Sequence, residues 1–326
     1  MEYLLLLGLF WSIWLLAPIL VDGLTALANL SGALAMRRRW RGHAQPLDYA
    51  PFVSIIVPVY NSAQTLEPCL RSIAAQDYPR SRMEVLLIDN GSTDRSFDVF
   101  SRLQGELGLR MAWHSIINQG KAWALNAGIH IAGGRYVFNV DSDVVLAPDA
   151  VRRIVERLEA APELGAVTGA VEVLPPPPGA SRLQRILAGC EFFEYLTAFH
   201  VGRQFQTVVD NLFTLAGAFS VFRREVLLRT FLYSQATVTE DTDLTFELHA
   251  RFPNYQLGCV SEAVAYTHPT ESLSALYAQR VRWQRGQMEV CARHMLLLKQ
   301  PFWRLRGFSP ARNLLVDHTT AFPRLA

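Results

Sequence analysis

The chain has 326 residues, half of them hydrophobic and 18% charged, with a formal net charge of +2. A charge this close to neutral excludes bulk nucleic-acid binding, and so apolar a composition points toward a membrane. Cys69, Cys190, Cys259 and Cys291 stand far apart, which excludes C-x-x-C redox chemistry and a zinc ribbon and fits reduced thiols in a cytosolic domain.

Leu4 to Val21 is an apolar run broken only by Gly8, Ser12 and Pro18. About 20 such residues span a bilayer. The rival reading is a secretory signal peptide. No basic residue precedes this run, it is too long, and it continues to Met36 without a cleavage site. Arg37-Arg38-Arg39-Trp40-Arg41 follows. Basic residues just after a span stay in the cytoplasm, and tryptophan suits the interface. The expectation is a membrane segment over residues 1–36, with an external N-terminus and a span within 3–36. A basic juxtamembrane linker follows over 37–51, then a cytoplasmic domain over 52–290 and an interfacial segment over 291–326.

Within the body, Val53 to Val59 has the composition of a buried strand, with Pro58 at its close. Leu66 to Gln76 has helical spacing. Met83 to Ile88 is a second strand ending at Asp89, and Ser92 or Thr93 can cap a helix through about Leu107. Residues 109–115 read as a third strand, Lys121 to Ala132 as a helix, and Tyr136 to Val140 as the next strand. Ala147 to Ala160 is helical, and Val167 to Leu174 is a strand stopped by the prolines at 175–178. Strands alternating with helices predict an α/β fold, a mostly parallel sheet with helices on both faces. Such sheets bind ligands at the C-terminal ends of their strands, where Asn61, Asp89 and Asp141 fall. Beyond Pro178 the pattern turns helical, over 182–200, 240–251 and 273–298. Met295 to Leu298 and Pro301 to Arg306 mix apolar, aromatic and basic residues. That mixture suits a helix lying on a membrane surface, and equally ordinary core packing.

Asp141-Ser142-Asp143 closes the strand that ends at Val140. Two carboxylates one residue apart suit a hard cation, Mg²⁺ or Mn²⁺, with phosphate oxygens completing its shell. Pro58-Val59-Tyr60-Asn61 presents an aromatic and an amide at a strand end, or is a plain turn. Asp89-Asn90-Gly91-Ser92-Thr93-Asp94 offers Asp89 to a base or ribose, or is a turn and helix cap. Asn118-Gln119-Gly120-Lys121-Ala122 places a lysine at a helix start, where anions are favoured, yet it lacks the spacing of a P-loop. In Thr239-Glu240-Asp241 either acid can serve as a base for a hydroxyl proton, and the ordinary alternative is a helix cap. Gln279, Arg282 and Trp283 share one helical face. The arginine suits a diphosphate and the tryptophan a sugar ring.

Taken in order, Pro-x-Tyr-Asn, Asp89, Gly120-Lys121, D-S-D, T-E-D and Q-R-V-R-W resemble the family 2 glycosyltransferases of GT-A fold. The likeness, over roughly residues 50–300, is greatest to the membrane-bound branch of hyaluronan, cellulose, chitin and poly-N-acetylglucosamine synthases. The resemblance implies that Pro58, Tyr60 and Asp89 line a uridine pocket with Lys121 near the base or phosphates. It implies that Asp141 faces the donor sugar, ribose and metal, that Asp143 holds Mg²⁺ or Mn²⁺, and that Asp241, beside Glu240, is the catalytic base. Gln279 and Arg282 then meet the diphosphate, while Trp283 and Gly217, in Leu215 to Phe219, serve the acceptor. The implied activity is inverting transfer from a nucleotide-sugar, a UDP-sugar first, to a saccharide or lipid-linked acceptor at the cytoplasmic face of the cell membrane. Its partners are membrane lipid and an export subunit, and no nucleic acid. Asn90 replaces the second acid of Asp-Asp-Gly, and Ser62 stands where an acid often follows Tyr-Asn. His268, in Tyr266-Thr267-His268-Pro269, reads as a packed histidine or a metal neighbour. Synthases of this branch continue into channel helices absent from this sequence, so it reads as a fragment or as an enzyme without its own pore. Non-processive transfer to a lipid or short acceptor is the alternative enzyme, and a nucleotide-sugar-binding membrane protein is the non-enzymatic one.

Overall fold

The computed structural model describes residues 2–40, 49–117, 120–301, 303–304 and 306–319. The linker at 41–48, the pair Asn118-Gln119, and residues 302, 305 and 320–326 of the C-terminal segment lie outside the described residues. Helix α1 (Glu2–Trp40) precedes β1 (Val53–Val59), α2 (Leu66–Ala74), β2 (Met83–Asp89), α3 (Ser96–Glu106), β3 (Arg110–Ser115), α4 (Lys121–Ile131), β4 (Tyr136–Val140), β5 (Val145–Leu146), α5 (Ala150–Ala160) and β6 (Leu164–Val173). Helix α6 (Arg182–Thr197) runs through a π-helical turn at Ala198–Gly202 into α7 (Arg203–Val208). Then come β7 (Phe219–Arg223), α8 (Arg224–Leu227), α9 (Glu240–Arg251), β8 (Gln256–Thr267), α10 (Leu273–Arg293), α11 (Met295–Leu298) and α12 (Pro310–Thr319).

The described strands form one sheet in the order β3-β2-β1-β4-β7-β6-β8-β5. β1 pairs in parallel with β2 and β4, and β2 with β3. β7 then runs antiparallel between β4 and β6, β8 is parallel to β6, and β5 is antiparallel to β8. Six of the eight described strands therefore run in one direction and only β7 and the two-residue β5 are reversed, so the sheet is mixed yet mostly parallel, as expected. The sequence pattern hides β7 because its buried run Phe219-Ser220-Val221-Phe222-Arg223 carries two polar residues. Arg223 is tolerated there because its guanidinium donates to the Leu164 carbonyl at 2.7 Å and the Ala161 carbonyl at 3.2 Å. Side chains alternate across the strands. Ile55, Val57, Val85, Leu87 and Phe138 pack with α2, α3 and α5 on one face. Ile56, Leu86, Ile88, Val137 and Phe222 pack with α4, α8 and α9 on the other. Pro58 is not the strand's break but a buried member of β1, in register with Ile88.

Helix α1 runs unbroken through Pro18 and Asp22. Its later part packs on α7, where a Cβ on Gly32 would stand 2.6 Å from the Phe205 Cα, and Met36 is buried. Leu6, Phe10, Trp11, Leu16, Leu20, Leu24 and Leu27 are exposed. Among the described residues no helix is long and apolar enough to cross a membrane. The expected span within 3–36 is thus a helix here, without being shown as a span. The C-terminal segment divides. Leu297, Leu298, Phe308 and Leu314 pack against Phe213, Phe246, Val290 and Cys291, whereas Met295, Leu296 and Trp303 are exposed.

Candidate active site

Three strand and helix ends converge on one lysine. Lys121 opens α4, and its Nζ lies 2.5 Å from Asp141 Oδ1, at the end of β4. The same ammonium is 3.9 Å from Glu240 Oε1, at the start of α9, and donates to the Gly217 carbonyl at 3.4 Å. Burial pulls the Lys121 pKa down, but Asp141, Glu240 and Asp241 together outweigh it and hold the ammonium charged. Burial also pushes the Glu240 carboxyl upward; Lys121 opposes this, and Asp241 and Asp141 add to it.

Gly217 ties Asp241 into the same knot. Its amide donates to Asp241 Oδ2 at 2.9 Å, and its carbonyl accepts from Asn139 Nδ2 at 2.9 Å. A Cβ at Gly217 would meet Asp241 Oδ2 at 2.9 Å, so only glycine permits this approach without a shift. The other Asp241 oxygen accepts the Thr242 amide at 2.7 Å. Thr239 stands at the N-cap of α9 but makes no side-chain capping hydrogen bond. Its Oγ1 is buried without a hydrogen-bond partner, facing Gly286 of α10, where a Cβ would lie 2.3 Å away.

The expected donor residues sit on the neighbouring strand ends. Asp89 accepts the Ser92 amide at 2.9 Å and the Ser115 hydroxyl at 3.2 Å. Tyr60 is exposed beyond β1, while Pro58 is buried within it. Asn61 takes φ 49°, with its Oδ1 accepting from the Thr93 amide at 2.8 Å. The two departures from the family pattern have structural roles. Asn90 Oδ1 accepts the Gly120 amide at 2.7 Å, fixing the entry to Lys121 at a φ of +133° that favours glycine. The Ser62 hydroxyl lies 2.7 Å from that of Ser142, between the two acids of D-S-D.

Asp143 opens to solvent, yet the protein around it desolvates its carboxyl enough to push its pKa up. Asp141 adds to the rise, while Lys121 and His268 act against it. β5, just after D-S-D, pairs with the end of β8, Val145 opposite Tyr266, and so delivers His268 to this neighbourhood. The histidine expected either to pack or to neighbour a metal is exposed. Among the described residues no group of three or more His, Cys, Asp or Glu is placed to hold a metal. Asp143 still fits a divalent cation. It is a hard oxygen donor whose negative charge is under-compensated, and Mg²⁺ commonly takes one or two carboxylates with phosphate oxygens.

Gln279, Arg282 and Trp283 lie on α10, whose Gly286 abuts Thr239. Arg282 is exposed, and Trp283 is half-buried with its ring centroid 6.5 Å from that of Tyr195. No described contact joins these three to Lys121 or Asp143, so the structure brings together the D-S-D, T-E-D and glycine-loop residues but not the α10 face. Sequence reasoning missed Asn139, Arg280 and the bond between Ser62 and Ser142. Only Asn139 left a signal, an amide inside an apolar strand.

Residues 54–231 match the model of the glycosyl transferase family 2. A poly-beta-1,6-N-acetyl-D-glucosamine synthase of Staphylococcus epidermidis is 28% identical over 241 residues, which is 74% of this chain and 56% of that protein. The chain thus spans about half the length of the curated relatives it matches. The structure of mannosyltransferase PcManGT from Pyrobaculum calidifontis, in complex with GDP-Man and Mn²⁺, is similar with a TM-score of 0.66 at 23% identity, covering 94% of this chain and 82% of that one. Staphylococcus aureus TarS in complex with UDP-GlcNAc gives a TM-score of 0.55 at 15% identity, covering 84% and 72%. At these identities the structural likenesses speak to the fold.

Proposed function

Because the chain belongs to glycosyl transferase family 2, we propose that it moves a sugar from a nucleotide-sugar, a UDP-sugar first, to a saccharide hydroxyl with inversion, in polysaccharide synthesis. The observation that carries this reading is the knot in which Lys121 pairs with Asp141 while the Gly217 amide holds Asp241.

Asp241 is the carboxylate that the Gly217 amide fixes at the acceptor loop, and it takes the acceptor hydroxyl proton. The acceptor oxygen forms its bond to the anomeric carbon from the face opposite the diphosphate. The bond from that carbon to the diphosphate oxygen breaks, and its electron pair leaves with the nucleoside diphosphate. Arg282, exposed on α10, offers two parallel donors to that diphosphate, which suits guanidinium chemistry. Asp143, with Asp141 beside it, would hold Mg²⁺ or Mn²⁺, which supplies positive charge at the leaving group. Lys121 keeps Asp141 and Glu240 from repelling the donor.

The apolar exposed residues of α1 support a setting at a membrane, and the basic run Arg37-Arg38-Arg39-Trp40-Arg41 favours its cytoplasmic side for the domain. Lipid-linked saccharide is then within reach as acceptor. A panel of nucleotide-sugars, with nucleoside diphosphate release and product size as readouts, tests the reading. Release from at least one UDP-sugar is expected, lost on Asp143→Ala and on chelation. Full activity of Asp143→Ala under chelation contradicts the metal assignment, and silence across the panel contradicts the transferase reading.

A further inference from the structure

Arg280 is the second residue of Gln279-Arg280-Val281-Arg282-Trp283 and has no role in the reaction described above. Its Nη1 donates to Gln279 Oε1 at 2.6 Å, and its Cζ stands 4.3 Å from the centroid of the Trp283 ring. Its Nη2 pairs with Glu194 Oε2 of α6 at 2.7 Å and lies 4.0 Å from Glu191 Oε1. The Tyr195 ring, on the same turn of α6, is 6.0 Å away. Glu191 is only 3% exposed, and its Oε2 accepts from the Thr270 amide at 2.8 Å and the Thr270 hydroxyl at 2.9 Å.

A guanidinium is a planar fork with donors along its edge and a face that stacks on aromatic rings. Arg280 uses both at once. Its edge fixes the amide of Gln279, its face covers Trp283, and its remaining donor is anchored to a different helix. Gln279 and Trp283 are one helical turn apart, and the family resemblance implies that they meet the diphosphate and the acceptor, the two ends of the reaction. Glu191 adds a second tie, because Thr270 stands two residues from His268, in the neighbourhood of Asp143. An ordinary interhelical ion pair would need only Glu194.

We propose that Arg280, held by Glu191 and Glu194, is the positioning residue that sets Gln279 and Trp283 relative to each other and to the D-S-D loop. The inference rests on the transferase reading of the site. The test compares wild type with Arg280→Ala, Arg280→Lys, Trp283→Ala and the Arg280→Ala/Trp283→Ala double variant, each in the full chain. The readouts are kcat and the KM for donor and acceptor, together with Tm. A misplacement of about 1 Å in a binding group costs up to about 10²-fold, and a loss of that size in kcat/KM for the acceptor is expected for Arg280→Ala. Arg280→Lys keeps the charge but loses the fork, so it does not rescue. In KM for the acceptor the double variant is no worse than Trp283→Ala, because Arg280 acts there through that ring, while KM for the donor still rises through Gln279. Rises in acceptor KM that multiply in the double variant, or full rescue by lysine, overturn the inference while leaving the transferase reading intact. A wild type silent on every nucleotide-sugar overturns both.

Discussion

The Lys121 knot and the α10 face are built on opposite plans. In the knot, backbone and side chains of four segments interlock: Lys121, Asp141, Gly217 and Asp241 are joined by contacts of 2.5 to 3.4 Å. Among the described residues the α10 face makes no contact with Lys121 or Asp143; it meets the T-E-D segment through Gly286 against Thr239 and through Glu289 on the Val238 amide, and is tethered to α6 by Arg280. The charged centre is therefore set by the fold itself, whereas Gln279, Arg282 and Trp283 depend on how one helix is held. Substitutions in the knot are expected to reach both stability and activity, and those on α10 to reach activity alone.

The sharpest way to break that contrast is Lys121→Met. Removing one partner of a fully buried ion pair costs about 3–5 kcal/mol. The Lys121 side chain is 34% exposed, so the cost is smaller, but Asp141 and Glu240 are left without their counter-charge. A clear fall in Tm and loss of turnover are expected by calorimetry and nucleoside diphosphate release; an unchanged Tm contradicts the interlocked knot. Gly217→Ala comes next. Its methyl group at 2.9 Å from Asp241 Oδ2 overpacks the loop, with an expected penalty of about 1–3 kcal/mol and a drop in kcat. A variant as active and stable as wild type contradicts the glycine requirement. The smallest effect is a control outside both regions. Burial raises the Asp210 carboxyl to about 6, and its Oδ1 has no hydrogen-bond partner. A carboxylate raised on folding binds protons more tightly in the folded state, so stability falls as pH climbs from the ordinary carboxylate range through about 6. Asp210→Asn is expected to raise Tm above that pH, to lose its advantage in acid, and to leave turnover unchanged. Asparagine also accepts the φ of 53° found there.

Much of this was legible before any coordinates. The alternation of β1 to β4 and β6 with helices follows from apolar runs and their polar ends, with Asp89 and Asp141 at strand ends and Lys121 at a helix start, whereas the two-residue β5 leaves no such pattern. The second half was not legible in the same way. β7 hides behind Ser220 and Arg223, and the burial of the Arg223 guanidinium is offset by the Leu164 carbonyl of β6 and the Ala161 carbonyl just after α5, which no local pattern reveals. The roles of Ser62 and Asn90 were read as departures because their partners, Ser142 and Gly120, come from other segments. Arg280 was passed over for a related reason. It stands at i, i+3 to Trp283 but only one residue from Gln279, so it reads as lying beside the face of Gln279, Arg282 and Trp283, and its long side chain reaches both.

The central claim is that Asp241, fixed by Gly217, removes the acceptor proton. It is tested most directly by transfer rate in Asp241→Asn, whose amide oxygen can still accept the Gly217 hydrogen bond. General base catalysis contributes about 10²–10⁴-fold. A kcat lowered by that factor is expected, with nucleotide-sugar affinity close to wild type and a modest fall in Tm, because the new NH2 group faces the Thr242 amide. An Asp241→Asn enzyme that transfers sugar at the wild-type rate would contradict it.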